Sequence, residues 1–574
     1  MREITTLTAV VGSGCAGLNA ADCLAALGQP VLLITEGMNC GTSRNTGSDK
    51  QTYYKLSLAG DEGDSVGEMA QSLWGPDVDG DIALCEAAGS AAGFFKLVQL
   101  GVPFPTNEMG EYVGYQTDHD RSRRATSAGP LTSRYMTEAL EKSVRARGVP
   151  VLDNTLAFQI LTDDEGVCGL LCLCRDTDEV VAVRCANIIL ATGGPAGIYA
   201  HRVYPESQLG MSGMAYETGC RGANLDCWQY GLASVGFRWN LSGSYQQAIP
   251  RYFSVDEQGV EREFLREHLS DADALHLVFL KGYQWPFDPQ KVPGSSRIDL
   301  LVKEQTDLGR RVYMDWRQNP AGYSEELLSG EAREYLASCG ALLSTPIQRL
   351  AAINAPAIEL YRSHGIDLER QPLEVRVCAQ HHNGGIGVDC HWQTDIPGLY
   401  ACGEAAGTFG QRRPGGTAPN STQVGSLRAA RQIAASRRPL PARLPEFTLP
   451  ALPAGDPARL TEELQQAMSR WASFARSSQG MEQLLARIGE IQSHVLPWEE
   501  CGDREQRIRL RDMMITQKQV LSAMLFALEH PGQGVLETKN GVTQRRPARP
   551  IPTRDLWFER VWKADLARRE ESCK

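Results

Sequence analysis

The stretch that most restricts how this chain can fold lies near its start, where the apolar run Leu7 to Val11 meets Gly12-Ser13-Gly14-Cys15-Ala16-Gly17. The helical pattern Leu18 to Leu27 follows, then Gly28 and a second apolar run, Val31 to Ile34. Strand, turn, helix and strand in that order predict the opening of a Rossmann-like, dinucleotide-binding α/β domain. In such a turn the first glycine permits the bend, the second lets a pyrophosphate approach the backbone, and the third lets helix and strand pack closely. Cys15 and Ala16 then open the helix, where free amides and the helix dipole favour phosphate. Glu36 ends the second strand nineteen residues beyond Gly17 and is the expected partner of a ribose hydroxyl, with Thr35 as the alternative.

A chain of 574 residues is too long for one core and predicts two to four domains. Its net charge of -11 argues against nucleic acid or an anionic membrane surface as the main partner. The basic run Arg121 to Arg124 is expected to be a solvated face. Sixteen cysteines are scattered without one Cys-x-x-Cys pair, so neither a zinc site nor an iron-sulfur ligand run is written, and no metal is expected. Thiols in apolar text, as in Leu170-Leu171-Cys172-Leu173-Cys174, behave as small hydrophobes. With no signal-peptide core and no stretch of ~20 apolar residues, a cytoplasmic protein without membrane insertion is expected.

Val180 to Leu190 reads as two strand pieces that end on Ala191-Thr192-Gly193-Gly194, a tight turn after a sheet strand. From about Trp239 to Pro320 aromatics and prolines cluster, which reads as an inserted cap. A buried-strand pattern returns near Ile396 to Glu404, and Val424 to Ala435 has the composition of a packed helix. Six prolines between Arg438 and Pro457 mark a linker. Beyond it Leu464, Met468, Trp471 and Phe474, then Met513, Met514, Val520, Met524 and Leu528, fall at helical spacing.

Taken together, Gly12 to Gly17, the Ala191-Thr192-Gly193-Gly194 turn, and Gly398-Leu399-Tyr400-Ala401-Cys402-Gly403-Glu404-Ala405 closed by Asn420-Ser421 resemble the succinate dehydrogenase/fumarate reductase flavoprotein family, which includes aspartate oxidase. The resemblance implies an α/β fold. It comprises a Rossmann-like FAD-binding domain in two parts, residues 1–235 and 353–437, an inserted α+β capping domain over 236–352, a Pro-rich linker over 438–458, and a C-terminal helical domain with its tail over 459–574. It implies FAD as cofactor, met by Gly403, Glu404, Asn420, Ser421, Gln423 and Val424 at the flavin. Ser43, Asn45, Thr46 and Gly47 stand where the family wraps the pyrophosphate and the middle of the cofactor. Respiratory members link a histidine there covalently to FAD; this chain has no histidine before His119, so a noncovalent flavin is expected.

The dicarboxylate machinery departs from the family pattern. Gly416 stands where the family places its substrate-clamping arginine, with Arg412 and Arg413 close by, and Gln229-Tyr230-Gly231 puts a glycine where a substrate histidine belongs. The Thr-Gly-Asp-Gly segment reads Gln208-Leu209-Gly210-Met211. A dicarboxylate needs cationic donors at both ends to offset its desolvation, so succinate and fumarate are not the expected substrates. Catalytic candidates are Arg297, in a segment resembling the family's proton-donating cap motif; His381 and His382, displaced by one and two positions from the family histidine, whose strict equivalent is Gln380; and Arg413 as a replacement clamp. Trp239, Tyr245, Arg251, Tyr252, Phe253, Tyr283, Trp285 and Phe287 supply stacking surface for a larger or flatter substrate. The expected activity is hydride transfer between the flavin and a small organic substrate at a carbon-carbon or carbon-nitrogen bond. An aspartate-oxidase-like amino acid oxidase and an electron-transferring subunit serving a redox partner protein are the alternatives. Glu529 to Gly534 lacks the family's Arg-x-Glu-Ser-Arg-Gly stretch, so docking to the usual iron-sulfur subunit is not expected.

Overall fold

A computed structural model describes residues 1–60, 63–117 and 122–553. The first strand forms over Thr8–Val11 and the helix over Cys15–Ala26, with Gly14 as its N-cap. One parallel sheet carries the strands in the order 399–401, 187–190, 8–11, 31–34, 151–152. Such a sheet is covered on both faces, which is why its strands read as unbroken apolar runs and not as alternation. Helix Cys15–Ala26 packs on helix Thr417–Ser436. Asn19 holds that crossing, donating to the Gln423 carbonyl at 3.1 Å and the Ser426 hydroxyl at 2.6 Å.

The two strand pieces within Val180 to Leu190 separate into different sheets. Asn187–Leu190 enters the parallel sheet, whereas Glu179–Arg184 joins a meander with Thr155–Asp163, Gly166–Cys174 and the N-terminal Arg2–Thr5. That meander buries Cys168 and Cys172 among aliphatic side chains. The basic run is solvated at Arg123, as expected, but not at Arg124. Arg124 is buried and forks onto Asp64 at 2.8 and 2.6 Å, while Arg121 lies outside the described residues. A guanidinium with a fitted carboxylate partner can be buried where an unpaired one cannot.

An antiparallel sheet forms the second body, in the order 228–234, 373–382, 311–315, 251–255, 261–262. Its ladder of Trp228–Ser234 against Leu373–His382 joins this body to the nucleotide-binding sheet. A bulge lies between Gln229, opposite His381, and Tyr230, opposite Ala379, leaving Gln380 as the extra residue. Bulges of this kind re-aim side chains beside active sites.

Helices Asp271–Lys281 and Ser296–Asp307 pack together in this body, joined by an ion pair of Lys281 and Asp299 with no exposed surface on either side chain. Removing one member of such a pair strands a desolvated charge. Lys281→Met is therefore expected to lower stability by about 3–5 kcal/mol in chemical denaturation, whereas Arg297→Gln, on the helix that carries Asp299, should lose about 1 kcal/mol or less.

Beyond the prolines, Leu452–Pro453 pairs with Val495–Leu496, and helices Pro457–Trp471, Ser478–Gln492 and Arg504–Glu529 pack together. Leu464, Met468, Met513, Met514, Val520 and Met524 are buried as their spacing predicts. Phe474 falls past the end of its helix, and Leu528 is 44 % exposed. The hairpin 535–539/542–546 returns to pair with Gly222–Ala223. Among the described residues no helix is long and apolar enough to cross a membrane.

Candidate functional site

The C-terminal ends of the parallel strands open into a cavity of about 620 Å³, the position expected for a ligand site in a sheet of this kind. Its walls include Gly12, Gly14, Cys15 and Ala16, the strand end at Thr35 and Glu36, and the loop from Cys40 to Thr52. Ala191, Thr192 and Gly193, Cys402 to Glu404, and the start of helix Thr417–Ser436 complete the long side. Gly17 is not part of the wall. A Cβ there would stand 1.8 Å from the Gly12 carbonyl oxygen, so this glycine lets the helix close onto its own turn.

The Cys15 amide donates to the Ser43 hydroxyl at 3.2 Å. Its thiol turns away to the Thr137 hydroxyl at 3.1 Å, and burial pushes that thiol up, so only the backbone of Cys15 is presented to the cavity for an anion. Glu36 binds Arg509 of the C-terminal helices through one carboxylate oxygen at 2.6 Å, leaving the other without a partner among the described residues. The Thr35 hydroxyl is instead engaged by Ser13 at 2.7 Å. Ser43, Thr46 and Gly47 face the cavity, but Asn45 does not. Its amide holds the loop together through the Asn39 and Gly41 carbonyls at 2.8 and 3.0 Å. Gly194 packs behind the wall against Glu404.

The side chains of four expected cofactor residues are engaged in packing rather than facing the cavity. The final helix of the nucleotide unit begins at Thr417, ahead of Asn420, Ser421, Gln423 and Val424, and places them in its buried packing. The Asn420 amide donates to the Glu86 carboxylate at 3.0 Å, while Gln423 and Val424 lie over Gly93 and Gly89 of helix Gly80–Gln99. Ala418, Pro419 and Thr422 face the cavity in their place. Burial pushes the Glu86 carboxyl up to about 8.

Of the catalytic candidates, His381 and Arg413 reach the cavity. Asn383 donates its amide to the Gly410 carbonyl at 2.8 Å, so its oxygen faces His381 Nδ1 at 3.0 Å as an acceptor. Nδ1 therefore carries the hydrogen, and Nε2 is left as a buried acceptor with no partner. Burial first, and the Arg413 charge second, hold His381 well below its usual range. His382 points to the other side of the strand, stacked on Trp228 at 4.2 Å with Nε2 3.3 Å from the Leu225 carbonyl, and does not line the cavity. Arg297 also stays outside it, donating to the His268 carbonyl at 3.0 Å.

Arg413 donates to Gln229 Oε1 at 3.1 and 2.6 Å and to the Thr417 hydroxyl at 3.1 Å, and makes no ion pair among the described residues. Burial draws it down to about 10, against the pull of Glu404 and Tyr204. Glu404 accepts from the Tyr204 hydroxyl and from the His382 amide, and burial lifts it to about 6.

The departures from the family pattern have steric causes. Gly416 has φ of +87°, and a Cβ there would lie 2.6 Å from Thr52 Cγ2, so no arginine fits without rearrangement. At Gly231 a Cβ would fall 2.8 Å from the Trp285 ring, which occupies the space of a histidine side chain. Of the cap aromatics, Tyr283 and Trp285 line the cavity; Trp239, Tyr245 and Tyr252 are buried, Phe253 stacks on Tyr313, with Arg251 over its ring, and Phe287 packs on Phe474. Sequence reasoning did not select Gln247, Tyr335 or Asp49, whose polar character lacks any motif and which only the folded loops and cap bring to the wall.

A family model described as FAD binding domain matches residues 8–419. The L-aspartate oxidase of Streptomyces coelicolor is 26% identical over 502 residues, covering 83% of this chain and 78% of that protein. Among solved structures, Mycobacterium smegmatis Sdh1 superposes with a TM-score of 0.74 at 17% identity, covering 98% of each chain. The quinol fumarate reductase FrdA of E. coli gives 0.69 at 18%, covering 96% of this chain and 98% of that one.

Proposed function

Because the chain belongs to the FAD binding domain family it is an FAD-dependent oxidoreductase, and we propose that it oxidises the carbon-nitrogen unit of a small amino acid whose side chain carries no charge. The observation that carries this reading is the set of groups facing the cavity. Arg413 is a guanidinium without an ion-pair partner; His381 Nε2 and Gln380 Oε1 are buried acceptors without partners; Trp285 Nε1 is a buried donor without one. One cation suits one carboxylate, and two acceptors suit the hydrogens of an amino group. The other cavity-lining cation among the described residues, Lys50, is exposed and sits over the Tyr115 ring, which leaves no second shielded cation among them for a second carboxylate.

The residues present fit FAD. Gly12, Gly14 and the amides of Cys15 and Ala16 would receive the pyrophosphate, Glu36 the ribose, and Thr46, Gly403, Glu404 and Ala418 the flavin end, where Thr192 Oγ1 is a further buried atom without a partner. Bound FAD supplies the centre that accepts hydride. No histidine lies in the loop from Cys40 to Thr52, so the flavin is held noncovalently and acid precipitation of the holoprotein should release it into the supernatant.

The substrate carboxylate docks on Arg413 and displaces Gln229 from the guanidinium. The amino nitrogen donates to His381 Nε2, and as hydride leaves the α-carbon the nitrogen's proton passes to that ring, giving an imino acid. A carboxylate beside Arg413 neutralises one cause of the low His381 basicity, so docking prepares the acceptor. Since the free His381 lies well below 6.5, activity should be insensitive to this group above that pH and be lost only as acid protonates it. The pH profile of kcat/KM tests this: an acid limb above pH 6.5 that vanishes in His381→Gln would contradict it.

L-aspartate itself is the second reading, favoured by the likeness to L-aspartate oxidases. Anaerobic mixing of the oxidised holoprotein with amino acids, without any partner protein, tests the proposal: the flavin should bleach with at least one of them. If only a protein partner reduces it, the small-molecule activity is wrong.

A further inference from the structure

A second cavity, of about 890 Å³, lies on the opposite face of the same ladder. Gln229 and His381 face the first cavity, whereas Tyr230, Val377 and Ala379 face the second; Arg376 alternates with Val377 along the strand and reaches the second cavity beside His201. The two sites therefore share a wall two strands wide. The second is closed on its far side by helices Pro457–Trp471 and Ser478–Gln492.

Arg376 is the group that asks for a ligand. Among the described residues its sole hydrogen-bond partner is the His201 ring, with Nε2 at 2.7 Å, and it makes no ion pair. A guanidinium that donates to a neutral ring and meets no carboxylate holds most of its donor fork in reserve. The carboxylates that share the cavity are committed elsewhere, Asp307 to Lys303 at 2.6 Å and Glu463 to Arg487 at 2.7 Å. The local field is positive: burial and the charges of Arg376, Arg238, Arg202 and Lys303 hold His201 down to about 4. Independently, Ser473 is 93 % buried in this wall with a hydroxyl that has no partner. Rings of Tyr199, Tyr230, Trp471 and Phe474 make up the apolar side.

We propose that this second cavity binds a small aromatic carboxylate, its carboxylate forked on Arg376 and its ring against the Trp471 side. A guanidinium fork matches a planar carboxylate, and a flat apolar body matches aromatic walls.

The test is calorimetric titration of the FAD-loaded protein with benzoate, with inorganic phosphate and benzyl alcohol as controls and flavin absorbance reporting the catalytic cavity separately. A benzoate site that leaves the flavin spectrum unchanged is expected, weakened at least about tenfold in Arg376→Gln and weakened also in Ser473→Ala, each retaining the wild-type flavin content. Superimposable titrations of wild type and Arg376→Gln would overturn the proposal. So would binding of phosphate or benzyl alcohol as tight as that of benzoate. If Arg376→Gln loses its flavin, Ser473→Ala decides: unchanged benzoate affinity there overturns the site.

Discussion

Replacing Gly17 by alanine is expected to yield protein that carries no flavin and melts well below wild type. The added methyl would stand 1.8 Å from the Gly12 carbonyl oxygen, a distance that no rotamer can relieve because both partners are backbone-fixed. The helix must then lift from the turn. Lifting it also opens the crossing with helix Thr417–Ser436, whose first residues wall the same cavity. Overpacking typically costs about 1–3 kcal/mol, and a backbone-to-backbone clash this close falls at or beyond the upper end. The flavin-to-protein absorbance ratio and a thermal melt of the purified variant check both parts, and a variant that binds flavin with wild-type stoichiometry and melting temperature would refute the assignment of this turn.

Arg413→Gln should keep the fold and the flavin but lose most of its kcat/KM. The side chain is half-buried and its present acceptors, Gln229 and Thr417, are neutral, so no structural ion pair depends on it. What disappears is the cavity-wall cation that, among the described residues, is shielded from solvent and has no ion pair. Loss of a charge-assisted fork to a desolvated carboxylate amounts to about 2–4 kcal/mol, or roughly 30- to 1,000-fold in kcat/KM. The loss should fall mainly on KM if the carboxylate is held equally before and during hydride transfer. Steady-state kinetics on the loaded variant decide it. A change of less than about threefold would remove Arg413 from the site.

Much of the nucleotide half is legible in the sequence because its constraints are local. The glycine spacing from Gly12 to Gly17 and the apolar runs that flank it are set by turn sterics and by a sheet buried on both faces. The start of helix Thr417–Ser436 is hidden for an equally local reason: Pro414, Gly415, Gly416 and Pro419 read as breakers, yet a proline is tolerated in the first turn, where its missing amide hydrogen has no acceptor. With that start hidden, the packing of the Asn420, Gln423 and Val424 side chains on helix Gly80–Gln99 is not visible in the sequence either.

The cap and the substrate wall are less legible because long-range pairing decides them. Strands Trp228–Ser234 and Leu373–His382 are partners separated by more than a hundred residues, and the bulge at Gln380 is invisible until they meet. Consecutive strand residues face opposite ways. His381 and His382, indistinguishable in sequence, thus divide into one cavity residue and one core residue. Arg297 sits one residue from a motif position, but on a helix whose buried side is spoken for by Asp299 and Lys281.

Arg413, the cavity cation without an ion pair among the described residues, is proposed to select a substrate with one carboxylate. The most direct measurement of that selection is the anaerobic rate at which the oxidised holoprotein's flavin bleaches with L-asparagine and other L-amino acids of neutral side chain, against L-aspartate at equal concentration. A neutral-side-chain amino acid is expected to reduce the flavin faster than L-aspartate; faster reduction by L-aspartate than by every neutral amino acid would contradict selection by a single cation.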